Sequence, residues 1–527
     1  MKRPITLRWR LAATALVFLA SLRVGTAQSL TWKVERQWDA AWEDHYSEFI
    51  AAIGQSGATS LTKCIDSPAN PYRGMTPPEL RKNLSADCAD LPYILRAYFA
   101  FINKLPFSYT QEVRPVGATN DIRYSPRGNR PGRRRTISGA EQADVLTVLR
   151  DVRGQISSAQ FRMSAQQDVT DAAFPDFYPA AINRQSIRPG TNVYDPNGHV
   201  AIVYEVEKNG VIHLMDAHPD NSISRIVYGK KFVRSGTAVG AGFKNWRPHV
   251  NGSVLRNAAI PQFSLVQYFG TEPGVTDWNK AVFLIEGEPR SYYEYVRESM
   301  AEGALEYEPL QEFASMLENL GRDIVDRANA VEVAITAGID RRQHPARLPR
   351  NIYGTEGDWE TYSTPSRDAR LKVAFKEARD AVENFLTMAD RNDRRLKFHG
   401  SSAELKKQLR QIYLDHAAKP VLQYQASHAT AKNVQLTFAQ VEDRLFRLSF
   451  DPYHCIELRW GAEETCEHDW TNKAWYRAEQ RLRNQTDRAY DVIMNFTLED
   501  LNAKAPGTGQ DSPPVYRLNE ILGAGPT

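Results

Sequence analysis

The sequence predicts an α+β protein, with a first domain built round an antiparallel sheet and a mainly α-helical C-terminal domain. Three observations predict it. From Thr191 onward the apolar pattern turns strand-like, and His199 to Val206 (HVAIVYEV) and Val211 to Ala217 (VIHLMDA) flank Lys208-Asn209-Gly210, a strong hairpin signal. Earlier in the chain, Leu91, Leu95, Tyr98, Phe99 and Ile102 recur at helical spacing. Beyond Tyr292 long charged amphipathic stretches take over, at Tyr307 to Ile335, Asp368 to Arg394 and Ala403 to His416. The expected division is a signal peptide at 1–27, the α+β domain at 28–290, the helical domain at 291–503 and an extended tail at 504–527.

The first residues read as a secretory leader. Lys2, Arg3, Arg8 and Arg10 precede an apolar run from Leu11 to Leu22, and Gly25 and Ala27 supply the small residues of a cleavage site. That run is too short for a bilayer of about 30 Å, and Arg23 interrupts it. A periplasmic or secreted protein is expected, with no membrane span in the mature chain. The leader also carries the excess charge. The chain has 66 Lys+Arg against 63 Asp+Glu, and the leader removes five of the basic residues, leaving 61 against 63. A nucleic-acid partner has no support from that balance. The aromatic and aliphatic content is that of a globular protein.

Taken in order, the segment from Leu30 to about Ala52 is read as helical, with Trp32, Trp38 and Trp42 among charged residues. A Pro- and Gly-rich loop follows. Then comes Ser85-Ala-Asp-Cys-Ala-Asp-Leu-Pro, where Ser85 or Asp87 can cap a helix and Pro92 falls in its first turn. Cys88 is thereby placed at a helix N-terminus. Arg114 to Arg135 reads as a basic loop, whose position in the chain allows a lid or an anionic-ligand contact. Four cysteines in an exported chain invite pairing. Cys455 and Cys466 suit a local bridge. Cys64 and Cys88 form either a second bridge or, if free, a pair in which Cys88 is a candidate nucleophile.

A nucleophilic cysteine needs a lowered pKa, and a helix start with a nearby imidazole supplies it. His199 opens a strand directly after Asn197-Gly198. Two hairpin registers are open: a two-residue turn pairs Val203 with Asp216, and a four-residue loop pairs Ala201 with Asp216. In both, His199, Asp216 and His218 share one face while His213 takes the other. Asp216 is the preferred partner to orient His199, with His218 second. The parity split and the lack of zinc-type spacing argue against a metal among these residues, and no cofactor is expected.

Asp87-Cys88-Ala89-Asp90-Leu91 opening a helix, Gly198-His199-Val200-Ala201-Ile202-Val203 and Ile212-His213-Leu214-Met215-Asp216 together resemble the papain-like thiol hydrolases. The nearest kinds are CHAP-type amidases, NlpC-type cell-wall peptidases and transglutaminase-like proteins. The resemblance implies a papain-like first domain with the catalytic set Cys88, His199 and Asp216, although NlpC-type enzymes would favour His213 as the third member. The long basic insertion and Pro92 depart from compact members. The implied reaction is acyl transfer from a peptide or cell-wall amide, with N–H groups at the helix start facing the oxyanion. The rival class is a non-catalytic binding or scaffold protein with Cys64 and Cys88 bridged, its helical half meeting a protein partner.

Overall fold

The structure, a computed structural model, describes residues 30–524 apart from 141, 171–172, 251–252, 354–356, 428–432, 467–469 and 487–492. The expected leader at 1–27 lies outside the described residues. Helices and antiparallel sheets are both present, so the fold is mixed α+β. No helix among the described residues is long and apolar enough to cross a membrane.

One six-stranded sheet organises the first half. Its strands are β1 (Phe177–Pro179), β2 (Asn192–Asp195), β3 (His199–Val206), β4 (Ile212–Ala217), β5 (Ile223–Val227) and β6 (Gly242–Trp246), in the order β1-β6-β2-β3-β4-β5, all antiparallel. Strands β2, β3 and β4 are largely buried, so side chains of alternate parity enter two different cores. Val200, Ile202, Met215 and Ala217 meet the helices Ala40–Gln55 and Asp90–Ile102. Ala201, Val203 and Leu214 meet Tyr292, Val296 and Met300 of the helix Tyr292–Met300. That helix, counted with the second domain on sequence, completes the first domain's core.

The β3–β4 pairing follows the four-residue-loop register near the site and shifts by one residue, short of the two-residue-turn register, nearer the turn. Ile202 faces Met215 and Val203 faces Leu214, but Glu205 faces His213 and Val206 faces Ile212. A bulge at Tyr204 absorbs the extra residue. Near the site the register is therefore that of the longer loop, while His213 remains on the face opposite Asp216.

Two other readings change. Residues before Ala40 are not helical: Asp39 caps the helix through the Trp42 N–H, while the indoles of Trp32 and Trp38 donate to the Leu105 and Pro106 carbonyls at 3.0 and 2.8 Å. The basic insertion is not a free loop. Phe107–Thr110 pairs with Arg134–Ile137, and Val113–Pro115 with Asn129–Pro131. Arg134 is tied to the buried Asp176.

In the second half, the helices Pro309–Thr336, Pro365–Asp390 and Ser402–Ala417 pack together round Phe313, Leu320, Phe375, Val382, Leu405 and Tyr413. The strands Pro420–Gln425 and Asn433–Thr437 add a small hairpin to it. Cys455 and Cys466 form a disulfide. The segment expected to run as an extended tail contains a helix, Leu518–Leu522, whose Leu518 and Leu522 are buried in the same core. Two apolar side chains fully buried there contribute on the order of 3–6 kcal/mol, enough to hold a short segment down.

Candidate active site

Cys88 sits where the sequence places it. The Leu91 N–H donates to the Asp87 carbonyl at 3.0 Å, so helical bonding begins at Asp87 and Cys88 lies in the first turn. The Asp87 carboxylate caps that end, accepting from the N–H groups of Ala89 and Asp90 at 2.9 Å each. The helix is buried on every side rather than along one face, because the sheet and the flanking helices enclose it. Its position is thereby fixed against movement along or about its axis.

His199 is the first residue of β3 and is set by the turn before it. Asp195 pairs with His199 across β2 and β3, and the Gly198 N–H returns to the Asp195 carbonyl at 3.0 Å. Gly198 has φ +83°, and a Cβ there would come within 3.0 Å of the Tyr124 hydroxyl. Both the backbone and the close approach demand glycine. The fully buried Arg162 holds the turn from below, donating to the Pro196 carbonyl at 2.8 Å and to the Tyr194 hydroxyl at 3.1 Å.

Nε2 of His199 lies 2.7 Å from Oδ2 of Asp216, and Asp216 is wholly buried. His218 stacks beside His199 with ring centres 6.2 Å apart; its Nε2 is 3.7 Å from Asp216 and bonded to Ser224 Oγ at 2.7 Å. Asp216 is thus the direct partner and His218 a neighbour. His213 takes no part: it pairs with Glu207 on the other face.

The Cys88 thiol donates toward the Gly198 carbonyl across 3.9 Å, and the Val200 N–H donates to its sulfur. Cys88 and Cys64 are both free thiols, which removes the bridge of the rival reading. Cys64 is buried within the helix Leu61–Asp66, near Arg225.

The electrostatics depart from the expected thiolate. Burial, followed by the Asp87 carboxylate, pushes the Cys88 thiol up. The carboxylate that caps the helix start cancels the positive end that would have held a thiolate. Burial, followed by Arg370, lowers His199. Burial also pulls Asp216 upward, but His218, His199 and Arg370 outweigh it and hold the carboxyl well below the usual range. The resting set is a thiol, a neutral imidazole and a carboxylate.

A cleft of about 150 Å³ runs over Cys88 and His199. Its far wall comes from the helical half, through Trp359, Glu360, Arg367 and Arg370. Tyr124 and Arg123 reach it from the basic insertion, and Arg123 bonds Glu360 at 3.1 Å. The residues from the helical half were not legible in the sequence, whereas Arg123 falls in the basic segment expected to offer a lid or an anionic-ligand contact. Two larger cavities, of about 610 and 980 Å³, flank Trp38 and Trp246 and contain none of Cys88, His199 and Asp216. Arg134 is paired with Asp176 and Arg96 with Glu43 beside them, and the free thiol and the imidazole–carboxylate pair lie at the narrow cleft, which is the better chemical candidate.

No family model matches the chain, and neither a curated protein nor a solved structure matches it.

Proposed function

We propose that the protein is a cysteine-dependent amide hydrolase or acyltransferase, acting outside the cytoplasm on peptide or cell-wall amides through a papain-like first domain. The observation that carries this reading is the 2.7 Å bond from His199 Nε2 to the buried Asp216, at the base of a cleft that also holds the free thiol of Cys88.

With Nε2 engaged by Asp216, Nδ1 is the nitrogen left for the thiol. Because the resting thiol is protonated, His199 acts as a general base as the sulfur attacks, instead of forming a standing ion pair with it. The S–C bond forms at the amide carbonyl, the thiol proton passes to His199, and Asp216 stabilises the imidazolium. The Cys88 N–H, which the Asp87 cap does not use, is the natural donor to the oxyanion. His199 then protonates the leaving amine, and water or a second amine resolves the thioester.

The reading is tested by iodoacetamide labelling of the non-reduced native protein from about pH 6 to about pH 10, mapped by mass spectrometry, for the wild type and for His199→Ala. Labelling of Cys88 that slows markedly in His199→Ala supports it. Equal labelling in both proteins overturns it.

A further inference from the structure

A second cluster of chemistry-bearing side chains lies inside the helical half, remote from the thiol. His344 follows the turn Ile339–Arg341, Asp451 and His454 stand just before the helix Ile456–Arg459, and Glu479 joins the helices Trp470–Ala478 and Gln480–Arg483. Asp451, His454 and Glu479 have no exposed surface, and His344 is 6 % exposed. Ligand atoms of His344, Asp451 and Glu479 all lie within 4.8 Å of one another. His344 Nε2 is 2.7 Å from Asp451 Oδ2, and His454 Nε2 is 3.8 Å from the same oxygen.

What points to a ligand is the set of groups left over. Neither carboxylate oxygen of Glu479 has a hydrogen-bond donor among the described residues, and neither has His454 Nε2 a partner. The nearest cation to Glu479 is the Arg483 guanidinium, at 3.8 Å. Asp451 is supplied by the Tyr453 N–H at 2.7 Å, but the Glu479 carboxylate buried near it has no donor, and an unsatisfied buried charge costs several kcal/mol. The outer nitrogens of both imidazoles are fixed as well. His344 Nδ1 donates to the Pro345 carbonyl at 2.6 Å, which leaves Nε2, 2.7 Å from Asp451 Oδ2, as the nitrogen that a metal would take in place of its proton. His454 Nδ1 is held by Ser449 Oγ at 2.6 Å.

We infer that His344, Asp451, His454 and Glu479 form a closed structural site for one divalent transition-metal ion of the zinc class. Two imidazoles and two carboxylates are a borderline-to-hard N/O donor set, which suits zinc better than calcium. Full burial leaves no open position for substrate, so the ion's task is to tie three separate segments of the helical half together. The sequence gives no such signal, since the ligands are spread over more than a hundred residues without a short motif.

The test uses the full chain with its disulfide intact and Cys88→Ala in the background, so that the cleft thiol cannot bind the metal. The zinc content is measured after gel filtration, and thermal unfolding is followed with a chelator, with added zinc and with added calcium. The expected result is one zinc per chain, a melting temperature lowered by the chelator and restored by zinc alone, and zinc affinity at least about tenfold weaker in Glu479→Gln. A chain that neither retains zinc nor is stabilised by it overturns the proposal in favour of a proton shared between Asp451 and Glu479. Zinc bound equally well by Glu479→Gln also overturns it, by placing the metal elsewhere. Neither result bears on the thiol chemistry.

Discussion

Nη1 of Arg123 donates to Oε1 of Glu360 at 3.1 Å, joining the insertion that separates Cys88 from His199 to the helical half across the mouth of the cleft. The pair is partly exposed, so it contributes about 1 kcal/mol or less to stability. Its effect on access is the larger one. Glu360→Gln is expected to speed Cys88 alkylation several-fold with little change in melting temperature. Unchanged labelling would show that the salt bridge does not control entry.

Asp87→Asn separates the cap from its charge. Asparagine caps a helix about as well as aspartate, so the fold should be retained. Removing the carboxylate takes away a contribution that pushes the Cys88 thiol up. Alkylation at neutral pH is therefore expected to accelerate, and its pH midpoint to fall. Slower labelling would mean that the cap geometry matters more than the charge.

Asp216→Asn removes the group that orients His199. Amide turnover is expected to fall on the order of 10⁴-fold, the usual cost of losing a buried orienting carboxylate. His218→Gln should cost far less, because His218 is 3.7 Å from Asp216 and bonds Ser224 instead. Steady-state rates for both variants, with circular dichroism as a check on folding, distinguish the two roles.

Asp90 gives a pH signature in stability. Burial, followed by Asp87, raises its carboxyl to about 9, so in the folded chain it stays protonated near neutrality. The unfolded chain ionises it near pH 4. Between those values the unfolded state holds fewer protons, and stability is lost as pH rises. Asp90→Asn is expected to match the wild type near pH 4 and to melt at a higher temperature near pH 8. Calorimetry at the two pH values decides it, and a constant difference would refute the assignment.

The parts of this architecture that were legible in the sequence are those with local causes. Cys88 falls at a helix start because Asp87 caps it three residues before Asp90, and the Asn-Gly turn with period-two alternation placed His199 and Asp216 on one face. The bulge at Tyr204 has no such signal, since it trades one residue between register and twist. Arg370 and Glu360 were invisible for a different reason. They reach the cleft from a helical half far along the chain, through packing that no local pattern encodes. The raised Cys88 thiol was missed because the same Asp87 that marks the helix start also supplies the opposing charge.

The Leu518–Leu522 helix, docked against Pro365–Asp390 and Ser402–Ala417, has a consequence in time. Chains fold from the N-terminus as they are made, and the first domain has its own core. The wall that Arg370 builds is different, because its helix Pro365–Asp390 packs into a core that residues 518 to 522 complete. Until the ribosome has passed that point the thiol faces a half-built groove. Synthesis itself then acts as a delay, and Cys88 meets its finished surroundings only after nearly every peptide bond upstream has been made.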